Sequence, residues 1–115
     1  MVEAGCRFVG IDAQGWDVHF NCFPSLRTDL IPYADRAFSA LVNDLDDRGM
    51  LDETLVIMMG EMGRTPKVNA KAGRDHWSMA QTIIFAGGGV KPGQVIGATD
   101  KHAAAPTTEP IGIGD

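Results

Sequence analysis

Leu51-Asp52-Glu53-Thr54-Leu55-Val56-Ile57-Met58-Met59-Gly60-Glu61-Met62-Gly63-Arg64-Thr65-Pro66 is the stretch on which the fold turns. Thr54 to Met59 is apolar without alternation, the pattern of a central strand covered on both faces. Polar and glycine residues follow at once. In open α/β sheets ligands bind beyond the carboxyl ends of strands, so Glu61 and Arg64 are expected at such a rim. Glu61 could ligate a metal or act as a general base, and Arg64 could grip an oxyanion with its planar fork. The competing reading is a structural Glu61–Arg64 pair that pins the loop.

Downstream, Gly60 to Gln81 is a long connection without helical or strand periodicity, and such loops in compact domains are commonly functional. It holds Arg64, Lys67, Lys71 and Arg74, four of the chain's ten basic residues, against Glu61 and Asp75. A locally positive loop on an acidic chain suits an anionic substrate such as a phosphate or sulfate ester. Solvated loop charge is the plain alternative. Gly73-Arg74-Asp75-His76-Trp77 adds an Asp–His set with an arginine and a large aromatic, Trp77 being read as a lid over the core edge. Thr82 to Ala86 reads as another buried strand and Gln94 to Gly97 as a short fourth, after the Gly87-Gly88-Gly89 turn. If 82–86 runs antiparallel to 54–59, the loop leaves and returns at one edge and Glu61 neighbours His76. From Thr99 to Asp115 the sequence is loop-like, and His102 is the weakest candidate ligand.

Upstream, a helix is expected from Ile31 to Arg48. Pro32 suits its first turn, Thr28 or Asp29 can cap it, and Gly49 can stop it. Ala34, Phe38, Leu41, Val42 and Leu45 form its apolar stripe. Arg7 to Ile11 reads as a short buried strand with Cys6 beside it, a buried small hydrophobe. Gly15-Trp16-Asp17-Val18-His19 follows. Asp17 and His19 are two apart, so extended backbone points both to one side, as a divalent metal or an Asp-oriented His base requires. A satisfied structural pair explains the same spacing. The order strand, helix, strand, long loop, strand gives an α/β sheet with at least one crossover helix and a thin core.

Bulk properties narrow the classes. The 115 residues allow one domain; 44% hydrophobic and 22% charged residues fit a globular chain rather than a disordered one. The net charge of −5 argues against nucleic-acid or anionic-membrane partners. No apolar run approaches a membrane span, and the first residues do not read as an export signal. Cys6 and Cys22 are read as unpaired, with no zinc spacing. GxSxG, P-loop and HExxH patterns are absent, which removes the common serine-hydrolase, NTPase and zinc-protease readings.

Taken together, GWDVH, LDETLVIMMGEMGRTP, AGRDHW and AGGGVKPGQVIGATD resemble the bacterial family called domain of unknown function 1501, a branch of the alkaline phosphatase and sulfatase superfamily. The resemblance runs from about Met1 to Asp100. It implies an α/β fold, part of an alkaline-phosphatase-like mixed sheet flanked by helices, and enzymes that use divalent metals to cleave phosphate or sulfate esters. It implies that 1–115 is a C-terminal portion, without the N-terminal half and final helix of the domain, and that the full-length protein is exported to the periplasm. Asp17 and His19 resemble the Asp and His that ligate one metal; Glu61 stands where those enzymes have an Asp-His pair; His76, with Asp75, stands near a later histidine ligand. Glu61-Met62 in place of Asp-His puts a two-metal site in doubt, and the nucleophile belongs to the missing half.

The expectation is a metal-dependent sulfate or phosphate ester hydrolase whose fragment is inactive alone. The metal, Zn, Ca or Mg, is held by Asp17, His19, Glu61, Asp75 and His76, with Arg64 and Arg74 on the oxygens of an anionic or carbohydrate ester. The alternative is a non-catalytic anion- or carbohydrate-binding module that keeps the fold.

Overall fold

The computed structural model describes residues 1–109. Its main element is one helical run in three parts: α1 (Cys22–Ser25), a π-helical turn (Leu26–Leu30) and α2 (Ile31–Asp47). The helix therefore begins nine residues before the expected Ile31, and Thr28 is no cap; its hydroxyl donates to the Pro24 carbonyl at 3.0 Å. Both prolines are compatible with the run. Pro24 lies in the first turn, where a backbone N–H has no intrahelical partner. Pro32 cannot donate to Thr28, and the ladder resets just before it, with the Ile31 N–H on the Leu26 carbonyl.

The helix ends as its sequence requires. Gly49 takes φ +67°. Its N–H donates to the Asp46 carbonyl and that of Met50 to the Leu45 carbonyl, both at 2.8 Å, a Schellman closure. Ala34, Phe38 and Val42 are half-buried and Leu45 is buried, whereas Leu41 is exposed at the margin of the stripe.

A short 3-10 turn (Leu51–Glu53) leads into β1 (Val56–Met58). Two further strands, β2 (Gly63–Arg64) and β3 (His76–Trp77), lie inside the long connection, and β4 (Ile84–Ala86) follows. β1 pairs antiparallel with β4, Val56 opposite Ala86 and Met58 opposite Ile84, and β2 pairs antiparallel with β3. The fold is mixed α/β, with two small antiparallel sheets. Because the loop exits and re-enters along one antiparallel pair, it returns to the edge it left.

Several expectations are corrected. Arg7–Ile11 forms no strand; Phe8 is 89% and Ile11 79% exposed, and without a paired neighbour the segment has no ladder to join. The helix is therefore not a crossover between paired strands. Cys6 is exposed, and it is Cys22 that is buried; both are free. Gln94–Gly97 is not a strand, and Val95 is almost fully exposed. Thr54, Val56 and Met58 are half-buried while Leu55, Ile57 and Met59 face outward, so β1 is covered on one face, not two. Among the described residues only Cys22 and Leu45 supply buried apolar side chains. The radius of gyration of 16.2 Å exceeds the roughly 13 Å of a compact globule of this length. No helix among the described residues is long and apolar enough to cross a membrane.

Candidate metal centre

The β2–β3 pairing continues by one step beyond the strands. The Thr65 N–H donates to the Asp75 carbonyl at 2.8 Å, and the Asp75 N–H donates to the Thr65 hydroxyl at 3.1 Å. This places Arg64 and His76 opposite each other. The hairpin then docks on the segment holding Asp17 and His19. The Asn21 N–H donates to the Lys71 carbonyl, the Cys22 N–H to the Ala72 carbonyl and the Arg74 N–H to the Val18 carbonyl, at 3.0–3.3 Å. Gly73 makes this approach possible: a Cβ there would meet the His19 carbonyl carbon and oxygen at 2.0 Å. Two loops fifty residues apart are thus locked backbone to backbone, and a glycine is the residue that fits.

Asp17 is the centre of the arrangement. Its Oδ1 lies 2.6 Å from Arg64 Nη2, 2.8 Å from His76 Nε2 and 3.0 Å from His19 Nε2. The hydrogen bond with His76, then that from Arg64, holds the Asp17 carboxyl well below the usual carboxylate range. His19 faces a second carboxylate on its other side, Nδ1 lying 2.9 Å from Asp75 Oδ1. That contact, and a hydrogen bond from Asn69, lower the Asp75 carboxyl as well. The two imidazole rings are 4.9 Å apart, centroid to centroid.

Asp17, His19 and His76 can each aim one ligand atom at a common point, these atoms lying within 4.8 Å of one another. A tetrahedral zinc with bonds near 2.0–2.1 Å separates its ligands by roughly 3.3 Å, so small side-chain rotations suffice to enclose one ion. Two imidazoles and one carboxylate are an ordinary donor set, and three protein ligands leave a fourth position open. A carboxylate on the far nitrogen of a ligating histidine is the usual outer partner, the position Asp75 takes behind His19.

The other expected site residues are placed differently. Glu61 is exposed; among the described residues it makes no ion pair or side-chain hydrogen bond and is not in the three-ligand group. Arg64 therefore pairs with Asp17, not with Glu61. Its fork is also held by the Trp16 carbonyl at 3.2 Å and the Arg74 carbonyl at 3.3 Å. The Arg74 guanidinium lies over the Phe23 ring, 5.3 Å from its centroid, with a buried Nε that has no partner. It makes no hydrogen bond to the Asp17 cluster among the described residues. Trp77 is half-buried, its indole N–H on the Ala104 carbonyl at 2.7 Å. His102 is exposed on a turn capped by Asp100.

The model of the family of unknown function DUF1501 matches residues 1–115. The chain belongs to that family. No curated protein matches it, and no solved structure does.

Proposed function

We propose that the full-length protein is a metal-dependent hydrolase of sulfate or phosphate esters, of the alkaline phosphatase and sulfatase type, and that this chain supplies one metal position of its site. The observation that carries the reading is the convergence of Asp17, His19 and His76, with Asp75 behind His19. Two imidazole nitrogens favour zinc over calcium or magnesium, which prefer oxygen ligands. A bound ion would polarise the ester and stabilise charge developing on its oxygens. Arg64, fixed by two carbonyls beside Asp17, would meet a non-bridging oxygen of an anionic ester, a carbohydrate sulfate or phosphate included. Glu61 and Arg74 have no part in this reading, and Asp75 orients rather than ligates. The Thr65 hydroxyl in the same loop is engaged with the Lys67 carbonyl and the Asp75 N–H.

One observation favours a second reading, a metal-free anion- or carbohydrate-binding module: Arg64 at 2.6 Å already compensates the Asp17 charge. The test is to express the full-length protein, assay bound metal by elemental analysis, and offer aryl sulfates and aryl phosphates. Stoichiometric metal with hydrolysis of either ester supports the enzyme. A folded protein with neither, that still binds sulfate or phosphate through Arg64, is the binding module.

A further inference from the structure

We propose that Asn69 is a positioning residue, which acts through Asp75 to hold the His19 ring with Nε2 turned toward Asp17 and His76. Its consequence for metal binding rests on the reading above; its geometry does not. All four hydrogen-bonding positions of the Asn69 amide are in use. Nδ2 donates to Asp75 Oδ1 and to the His19 carbonyl, both at 3.1 Å. Oδ1 accepts from the Lys71 N–H at 2.9 Å and the Gly73 N–H at 3.0 Å. The Asn69 backbone adds an N–H to the Gly73 carbonyl at 2.8 Å. One side chain thus closes the 69–73 loop, ties it to the backbone of His19, and fixes the carboxylate facing His19 Nδ1.

The chemistry requires such a residue. A neutral imidazole carries a single N–H, and a histidine that is to ligate through Nε2 must keep that proton on Nδ1. Asp75 is the acceptor that favours this tautomer, in competition with Asp17 Oδ1 at 3.0 Å from Nε2, and its side chain is 55% exposed, so packing does little to fix its rotation. The hydrogen bond from Asn69 supplies the constraint. An amide suits the position because it donates on one side and accepts on the other; a carboxylate would lose both donor bonds and repel Asp75.

The test uses the full chain and zinc alone. Asn69→Ser keeps an acceptor for the loop N–H groups but does not reach Asp75. Asn69→Asp, which retains the amide's shape and its acceptor bonds, replaces it if backbone amide spectra show the serine variant unfolded. Zinc affinity is measured by competition with a chelating dye, in the wild-type and Asp75→Ala backgrounds. The expected result is a loss of about tenfold or more in the first background and under about twofold in the second. Equal losses in both backgrounds overturn the proposal. A second readout needs no metal: the ring nitrogen shifts of His19 at a pH where the ring is neutral. With Asp17→Ala removing the carboxylate that faces Nε2 at 3.0 Å, the chain with Asn69 is expected to show the Nδ1–H tautomer and the Asn69 variant a shift toward Nε2–H; an unchanged tautomer overturns the proposal. If the wild type binds no zinc, the metal reading fails, and the tautomer shift still decides the role of Asn69.

Discussion

At the rim, half-exposed polar side chains from two loops meet Asp17 and Asp75 through contacts of 2.6–3.1 Å. In the β1–β4 sheet, Leu55, Ile57 and Phe85 each stand 48% exposed beside a ladder only three residue pairs long. The rim holds its order through directional bonds and one close backbone approach, so it needs little apolar burial. The sheet has the reverse composition, a row of apolar side chains with one face uncovered among the described residues. An apolar strand gains its stability from burial, and β1 obtains only part of it. The site is therefore more completely specified within this chain than the β1–β4 sheet.

The largest way to break that contrast is at Gly73. Gly73→Ala pushes a Cβ into the His19 carbonyl, where backbone must shift. It is expected to cost about 3 kcal/mol in denaturant unfolding and to abolish zinc binding, whereas an alanine at Gly60, whose Cβ would meet only the Met62 carbonyl oxygen at 3.5 Å, leaves the rim intact. If Gly73→Ala keeps wild-type stability, the backbone lock is not what organises the rim.

Next comes acid. The Asp17 and Asp75 carboxyls are depressed from their ordinary value of 3.8. Their stabilising contribution is present above that value and is lost as pH falls through the lowered folded values. Denaturant midpoints followed from about pH 5 to 2 should therefore drop, and Asp17→Asn should flatten the drop more than Asp75→Asn. An acid limb unchanged in both variants would contradict the rim network.

A smaller effect sharpens the other side. Trp77→Phe removes the indole bond to Ala104 and should cost about 1 kcal/mol by thermal unfolding, with zinc affinity unchanged. Smallest of all is Arg48→Ala. Arg48 pairs with Asp44 and Glu3 in the open, and its removal should leave unfolding within error.

How much of this was legible before any coordinates follows the same division. The 3.6-residue stripe placed Ala34 to Leu45 on one helix face, and Gly49 marked the stop, because both signals are local. The helix start was not legible: Pro32 with Thr28 or Asp29 before it reads as a first turn and its cap, while the helical run continues through Pro32 behind a π-helical turn. The apolar runs located β1 and β4, but not how much of each is covered. Arg7–Ile11 has strand composition and no partner strand among the described residues. In the site, the spacing of two between Asp17 and His19 gave their shared side, and an antiparallel return brought His76 near. Glu61 stands outside the three-ligand group, because a position after a strand does not fix where its side chain goes. The contact of Arg74 with Phe23 was not legible, because the two lie fifty-one residues apart in sequence. Asn69 was missed, although an asparagine two residues before an N–H in an Ala- and Gly-containing turn is a known side-chain-to-backbone signal.

The most direct test of the central claim is calorimetric titration of the full chain with zinc, for the wild type, Asp17→Asn and His76→Gln. One site per chain is expected in the wild type, with about a hundredfold or greater weakening in each variant and unfolding curves showing all three folded. No stoichiometric zinc binding by a folded wild-type chain, or equal affinity in all three, would contradict it.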